Sequence, residues 1–468
     1  MKGIPAQQVL AELAELRKGD LPTHGGRLFA YVYDPAVPGL DELASAAYAS
    51  SAHVNGLDPT AFPSLLRMEN DLVGMAAAVL GGGPQTVGSV TSGGTESLIL
   101  AVKAARDGAP HIAEPRLVMP VTAHAALAKA AAYLRVALDV VPVGADLRVD
   151  PADVAAAIGP STVLVACSAP SYAHGLIDPV EPIAAAAAAA GVRCHVDACF
   201  GGWTLPFLRR LGEPVPAFDL SVPGVTSISV DLHKYAYAPK GVSVLLHRDE
   251  ALRLPQYFGY ADWPGYTMVN PVISSTRSGG PIAAAWATLR HLGNDGYLAL
   301  ADTTRTAVRG LAAAVSAVDG LRLLPVESTV VAFQSAPPDG VDLFVLADEL
   351  AARGWHTQPQ FQHGDIAPSV HLTVTAAVAP RVEEFAADLA ASVAAARALG
   401  PVELPDGIFE LLGSVESVAA ALGVGAGDAV LPERMAVINT LLNAAPPAVR
   451  EQLLVAFLSL LQRPTGVG

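Results

Sequence analysis

Between residues 70 and 300 the chain alternates helical and strand-like segments, and this alternation constrains its fold more than any other feature. Helical periodicity marks Leu65 to Leu80, Ser97 to Asp107, Ala123 to Leu134, Pro151 to Ile158 and Pro179 to Ala190. Short β-rich runs separate them at Thr86 to Thr91, Arg116 to Pro120, Asp139 to Val143, Thr162 to Cys167, Arg193 to Val196, Ser227 to Val230 and Ser243 to Leu246. Strands joined through helices pair in parallel and bury both faces. The pattern therefore predicts an α/β fold with one large, doubly wound, mostly parallel sheet. A long helix from about 301, strands at Val330 to Gln334 and His371 to Thr375, and a helix at Leu343 to Arg353 predict a smaller α+β unit. The expected division is an N-terminal arm over 1–70, a large domain over 71–300, a small domain over 301–395 and a helical extension over 396–468.

Composition narrows the partners. Of 468 residues, 52% are hydrophobic, which is ample for a large core, and the formal charge is −15. A strongly acidic chain is a poor match for nucleic acid or an anionic membrane surface. The alanine run at Ala184 to Ala190 is too short to cross a bilayer, and no other span reads as transmembrane. Charges interrupt Met1 to Asp20, which is not a signal peptide. Cys167, Cys194 and Cys199 show no metal spacing and read as small buried hydrophobes in a reducing cytoplasm.

Three segments carry chemistry. In Ser229-Val230-Asp231-Leu232-His233-Lys234-Tyr235, followed by Ala236-Tyr237-Ala238-Pro239-Lys240-Gly241, a β-rich run delivers a lysine beside a histidine. A lysine at a buried strand end, with its pKa pushed below the free value of about 10.4, is a nucleophile toward aldehydes. A solvated loop lysine is the other reading. In His195-Val196-Asp197-Ala198-Cys199-Phe200-Gly201-Gly202 an apolar strand ends in a carboxylate, where open α/β sheets bind ligands. That aspartate is a candidate for a protonated pyridine nitrogen, or else caps a loop. In Thr91-Ser92-Gly93-Gly94-Thr95-Glu96-Ser97 a strand passes through glycines into a helix. Thr95 can cap that helix, the free N–H groups of its first turn attract an anion, and the adjacent Gly93 and Gly94 let a phosphate approach the backbone closely.

The wording and order of these segments resemble the sphingosine-1-phosphate lyase branch of the group II pyridoxal-dependent decarboxylase family. Ala123-His124-Ala125-Ala126-Leu127-Ala128-Lys129-Ala130-Ala131, Ala169-Pro170-Ser171-Tyr172-Ala173-His174-Gly175-Leu176-Ile177-Asp178-Pro179 and Ser275-Thr276-Arg277-Ser278-Gly279-Gly280 are similar to further segments of that branch. The resemblance spans roughly residues 25 to 390. It implies a fold-type I pyridoxal-phosphate enzyme, like aspartate aminotransferase in architecture, working as a homodimer with shared active sites.

By the same resemblance, pyridoxal 5'-phosphate would be anchored by Lys234 through a Schiff base. Asp197 would pair with its ring nitrogen, and His124 would stack on its ring. Gly94, Thr95, Ser168 and His233 would bind it, with Gly279 and Gly280 reaching over from a neighbouring subunit. Tyr33 and Lys240 match positions that contact substrate or transfer protons; core packing and a solvated turn are their alternative readings. The expected reaction is retro-aldol cleavage of a 2-amino alcohol, such as a sphingoid base phosphate, to an aldehyde and an ethanolamine derivative. L-amino-acid decarboxylation is the alternative. The eukaryotic lyases of this branch carry a membrane anchor, which this chain is expected to lack. One departure concerns the substrate. The lyases carry Asn-Pro-Leu-His in the arm, whose histidine helps bind the substrate phosphate. Here the segment is Asn55-Gly56-Leu57-Asp58, with His53 nearby. A carboxylate at Asp58 would repel a phosphate and suit an ammonium or hydroxyl better.

Overall fold

The computed structural model describes residues 3–404 and 434–462. The chain opens with α1 (Ala6–Leu16), which buries no residue, followed by α2 (Leu40–Ser51) and α3 (Pro63–Val79). Then come β1 (Val87–Thr91), α4 (Gly94–Asp107), β2 (Arg116–Pro120), α5 (Ala125–Leu134), β3 (Ala137–Val141), α6 (Pro151–Ala157), β4 (Thr162–Ser168), α7 (Val180–Ala189), β5 (Arg193–Asp197), α8 (Leu205–Arg210), β6 (Val225–Asp231) and β7 (Ser243–His247).

The strands form a seven-stranded sheet in the order β1-β7-β6-β5-β4-β2-β3. The pairs among β6, β5, β4, β2 and β3 are parallel. Every residue of β4 is buried, as expected for a strand covered by helices on both faces. β7 departs from the pattern and runs antiparallel to both β6 and β1. The link from Asp231 to Ser243 is a turn bent at Gly241, with φ +101°, and has no room for a crossover helix. β3 pairs Ala137 with Arg116, so it starts two residues before the expected Asp139. Val143, the expected strand end, instead bridges Val149 in the following turn.

After α9 (Glu250–Arg253), β8 (Phe258–Tyr260) and β9 (Met268–Asn270) make a two-stranded ribbon with exposed aromatic residues. The long helix α10 (Gly279–Ser316) starts well before residue 301 and breaks at Gly293, with φ +55°. A second, four-stranded antiparallel sheet joins β10 (Leu321–Leu323), β11 (Val330–Ser335), β12 (Gln358–Gln360) and β13 (Ser369–Thr373), with α11 (Leu343–Ala352) between β11 and β12. Its core gathers Phe29, Phe333, Trp355 and Phe385, distinct from the cluster under the large sheet. Sequence alone missed β10 and β12, which are only three residues long. The last helices are α12 (Val382–Leu399), α13 (Ala436–Ala444) and α14 (Pro447–Leu461). Asp348 on α11 caps α13 by accepting the N–H groups of Met435 and Ala436, each at 2.9 Å.

Candidate active site

Parallel register brings the chemistry together. At the carboxyl ends of adjacent strands, Ser168 of β4 lies opposite Asp197 of β5, and Asp197 opposite Ser229 of β6. Two residues past Ser229, β6 ends at Asp231, and the turn beyond carries His233 and Lys234. A cavity of about 400 Å³ opens over these strand ends. One wall is Ser92-Gly93-Gly94-Thr95 at the start of α4, where Gly93 and not the expected Thr95 is the N-cap, because the helix already begins at Gly94; His124, at the start of α5, is another. Ser168, Asp197, His233 and Lys234 also line it. The structure thus gathers seven of the sequence candidates: Gly94, Thr95, His124, Ser168, Asp197, His233 and Lys234.

Lys234 Nζ sits 2.8 Å from a carboxylate oxygen of Asp231, which also accepts the Ser243 hydroxyl at 2.6 Å. Burial disfavours the Lys234 ammonium, but the Asp231 carboxylate outweighs burial and raises its pKa. The expected depression of this lysine is therefore wrong, because a buried carboxylate faces it. Burial opposes ionisation of Asp231 too, yet Lys234 and His233 hold its pKa below the usual value. The downward shift falls on Lys240 instead, which is lowered to about 8 by burial and by the Lys234 charge.

Lys240 and Tyr33 border the cavity rather than line it. Lys240 Nζ lies 4.9 Å from the centre of the Tyr33 ring and 3.3 Å from the His233 carbonyl. Tyr33 meets Tyr235 and Phe200 edge-on, with centroids 5.1 and 6.1 Å apart. Burial raises its phenol pKa, so the hydroxyl keeps its proton. His124 lines the cavity, and its Nδ1 accepts the Ala126 N–H at 3.1 Å, which caps α5.

The arm and turn candidates fall elsewhere. Asn55, Asp58, Gly279 and Gly280 do not line this cavity. Asn55 bridges Ser278, and Gly279 donates to the Val54 carbonyl at 2.8 Å. A Cβ on Gly280 would come within 2.8 Å of the Tyr48 ring. Asp58 accepts the Thr60 N–H at 2.8 Å and its hydroxyl at 2.7 Å, and this lowers its pKa. No contact of the His53 side chain bears on the cavity.

Sequence reasoning gave no role to Asp231 or Tyr172. Asp231 carries the same signal as Asp197, a carboxylate ending an apolar strand. Tyr172 follows Ala169-Pro170; it lines the cavity, stacks on His371 at 4.6 Å and donates to Gln358 at 2.6 Å. All three cysteines are buried and free. Among the described residues, no cluster suits a metal ion and no helix is long and apolar enough to cross a membrane.

A phosphorylated pyridine aldehyde fits this donor set. The Ser168 hydroxyl is buried without a partner at the cavity wall. A Cβ on Gly94 would press within 2.8 Å of Cys199 Sγ and 3.0 Å of Asp231, so only glycine leaves the backbone accessible there.

Comparison with known proteins agrees. The pyridoxal-dependent decarboxylase conserved domain matches residues 23–334. A C-terminal HTH domain of pyridoxal-dependent enzymes matches residues 374–460. The chain is 37% identical to a sphingosine-1-phosphate lyase of Arabidopsis thaliana over 381 residues, covering 80% of this chain and 69% of the relative. It is 36% identical to the solved Burkholderia pseudomallei sphingosine-1-phosphate lyase, with TM-score 0.80 over 85% of this chain and 92% of that one. A Lactobacillus brevis glutamate decarboxylase shares the fold, at TM-score 0.73 and 20% identity, over 85% of this chain and 94% of that one.

Proposed function

The chain belongs to the pyridoxal-dependent decarboxylase family and is a pyridoxal-phosphate-dependent carbon–carbon lyase, and from that premise we propose that it cleaves the Cα–Cβ bond of a phosphorylated long-chain 2-amino alcohol of the sphingosine 1-phosphate type. The likeness to sphingosine-1-phosphate lyases over most of the chain favours this substrate. The observation that carries the reaction type is the placement of Lys240, which is exposed along its stem with Nζ at the cavity border 4.9 Å from the centre of the Tyr33 ring; its lowered pKa, about 8, supports the role. Retro-aldol cleavage needs a base for the β-hydroxyl, and loss of carbon dioxide does not.

When bound, pyridoxal phosphate supplies the electron sink for the pair released from the breaking bond. The chain's own residues do the rest. Gly94 and Thr95 offer the free N–H groups of the α4 first turn to the phosphate. Asp197 would pair with the ring nitrogen, His124 would lie against the ring, and the Ser168 hydroxyl, buried without a partner, would bond the group. Lys234 holds the cofactor and moves a proton at Nζ. Lys240, neutral in part near pH 8, takes the β-hydroxyl proton, while Tyr33 donates a hydrogen bond from its retained O–H.

The same reading makes the enzyme a homodimer. Gly279 and Gly280 would complete the phosphate cup of a second copy, and Asn55, paired with Ser278, would travel with them. Exposed Leu10, Leu13 and Leu16 on α1 supply apolar surface for that contact. The two cores support a large and a small unit, but not boundaries at 70 and 300: Phe29 of the arm packs in the small-sheet core and α10 runs across residue 300, while the expected extension over 396–468 lies partly outside the described residues. The free cysteines suit a cytoplasmic setting.

The test is a paired product assay on the holoenzyme. Long-chain aldehyde from sphingosine 1-phosphate, with no carbon dioxide from an amino-acid panel, is the expected result. Carbon dioxide from an L-amino acid with no aldehyde would replace this reading by decarboxylation.

A further inference from the structure

The ion pair between Lys234 and Asp231 has a function that the cleavage reaction does not require. Asp231 is 3% exposed and is deeper than the lysine it faces. One of its oxygens lies 2.8 Å from Lys234 Nζ, the other 2.6 Å from the Ser243 hydroxyl, and His233 Nε2 is 3.6 Å away. We propose that Asp231 is a positioning residue that controls cofactor capture, holding Lys234 as an ammonium aimed into the cavity until the proton is given up. The proposal rests on Lys234 being the anchor, as argued above.

The chemistry makes the hold consequential. An ammonium has no lone pair. Capture requires Lys234 Nζ to lose one proton to solvent. The resulting amine forms a C–N bond to the aldehyde carbon, and the aldehyde oxygen leaves as water with the two remaining amine protons. The stronger the hold of Asp231 on the ammonium, the higher the pH at which the amine becomes available.

The surroundings isolate this pair as the control. Around Lys234 stand Tyr33 from the arm, Tyr172 from the segment after β4, Asp197 and Cys199 from the end of β5, and His233 and Lys240 from its own turn. Burial raises the pKa of Tyr33, Tyr172 and Cys199, so these keep their protons and carry no charge at neutral pH. Lys240 opposes a second cation nearby. Asp231 is the carboxylate in direct contact. Once Lys234 is engaged, the Asp231 carboxylate still accepts the Ser243 hydroxyl and faces His233, so it is not left bare.

The experiment mixes full-length apoprotein with pyridoxal phosphate and follows capture by the absorbance of bound cofactor across a pH series. Asp231→Asn is isosteric and can still accept the Ser243 hydroxyl. It is expected to move the midpoint of the capture profile down by at least about one pH unit, which makes capture below the midpoint roughly tenfold faster. Asp231→Glu keeps the charge, displaced by one methylene, and should fall between wild type and Asp231→Asn; it also serves if Asp231→Asn does not fold. An unmoved midpoint in the folded variants, even with a uniformly slower rate, overturns the proposal and leaves Asp231 with a shaping role. Borohydride fixation and peptide mapping run alongside. Linkage at Lys234 with an unmoved midpoint defeats this proposal alone, whereas linkage at another lysine defeats the anchor assignment beneath it.

Discussion

The two halves of the proposed site differ in how they are built. Ser168, Asp197 and the Asp231–Lys234 segment stand at the ends of three neighbouring parallel strands, where register sets their spacing. Asn55, Gly279 and Gly280 sit where α2, the following loop and α10 meet, Asp58 holds its own turn further along that loop, and none of the four lines the cavity. The first half is complete within one chain, and the second has a role only if another copy presents it. The contrast teaches that a sheet assembles a site from distant sequence by itself, whereas loops joining elements depend on what packs against them.

The largest expected effect breaks the first half. Lys234→Ala should abolish turnover, by roughly 10⁴-fold or more, the upper range for a positioned proton-transfer group, with the fold retained. Steady-state aldehyde release measures it. A borohydride-stable linkage surviving in the variant would move the anchor to another lysine, Lys240 first. The fold itself should feel the change. With Lys234→Met, Asp231 is a buried carboxylate without its cation, which costs about 3 kcal/mol at pH 7. A folded pKa held below the unfolded value adds stability above the unfolded value and loses it as pH falls through the folded one. Without its cation Asp231 loses that depression, so the penalty should shrink toward pH 4, as urea melts at the two pH values would show.

Asp197 comes next. Asp197→Ala removes the carboxylate proposed to face the ring nitrogen, and the rate should fall about 10²–10³-fold, comparable to losing one preorganised stabilising group in a transition state. Cofactor retention should suffer less than turnover. Near-normal kcat with ordinary cofactor content would take Asp197 out of the site.

Lys240 lies on the border between the halves, and its test is a pH profile. If it takes the β-hydroxyl proton, kcat should rise with pH to a plateau above about 8, where its amine is neutral. Lys240→Arg keeps the cation but not the titration, so the rate should drop roughly 10²-fold and lose that limb. An unchanged profile in the variant would assign the base elsewhere.

These expectations also show what was legible. The seven strands of the large sheet, the glycine turn before α4 and the carboxylate of Asp197 could be read from sequence because each depends on local pattern. The direction of the Lys234 shift could not. Sequence shows that a lysine is buried but not that Asp231, three residues back, turns to face it. The antiparallel β7 was missed for a similar reason: its composition equals that of a parallel strand, and only the length of the turn before it excludes a crossover. Gly279 and Gly280 were expected to serve a second copy, and one chain shows only that they start α10 outside its own cavity.

The smallest expected effect tests the second half. At Asp58, sequence expects repulsion of a substrate phosphate and relief on Asp58→His. The structure places this carboxylate in solvent, engaged by the Thr60 N–H and hydroxyl and outside the cavity of its own chain. An exposed charge acts through water and is screened within about 8 Å at physiological salt. Asp58→His should therefore change KM for a phosphorylated substrate by less than about threefold, in the favourable direction, and lose the turn's two hydrogen bonds. KM measured at low and at physiological salt decides it. A salt-sensitive fall of tenfold or more would mean that Asp58 of one copy faces the cavity of the other, which makes the arm a reader of substrate charge. A KM insensitive to both the substitution and salt would leave phosphate recognition to groups at the cavity border such as Lys240, whose Nζ lies 4.9 Å from the centre of the Tyr33 ring.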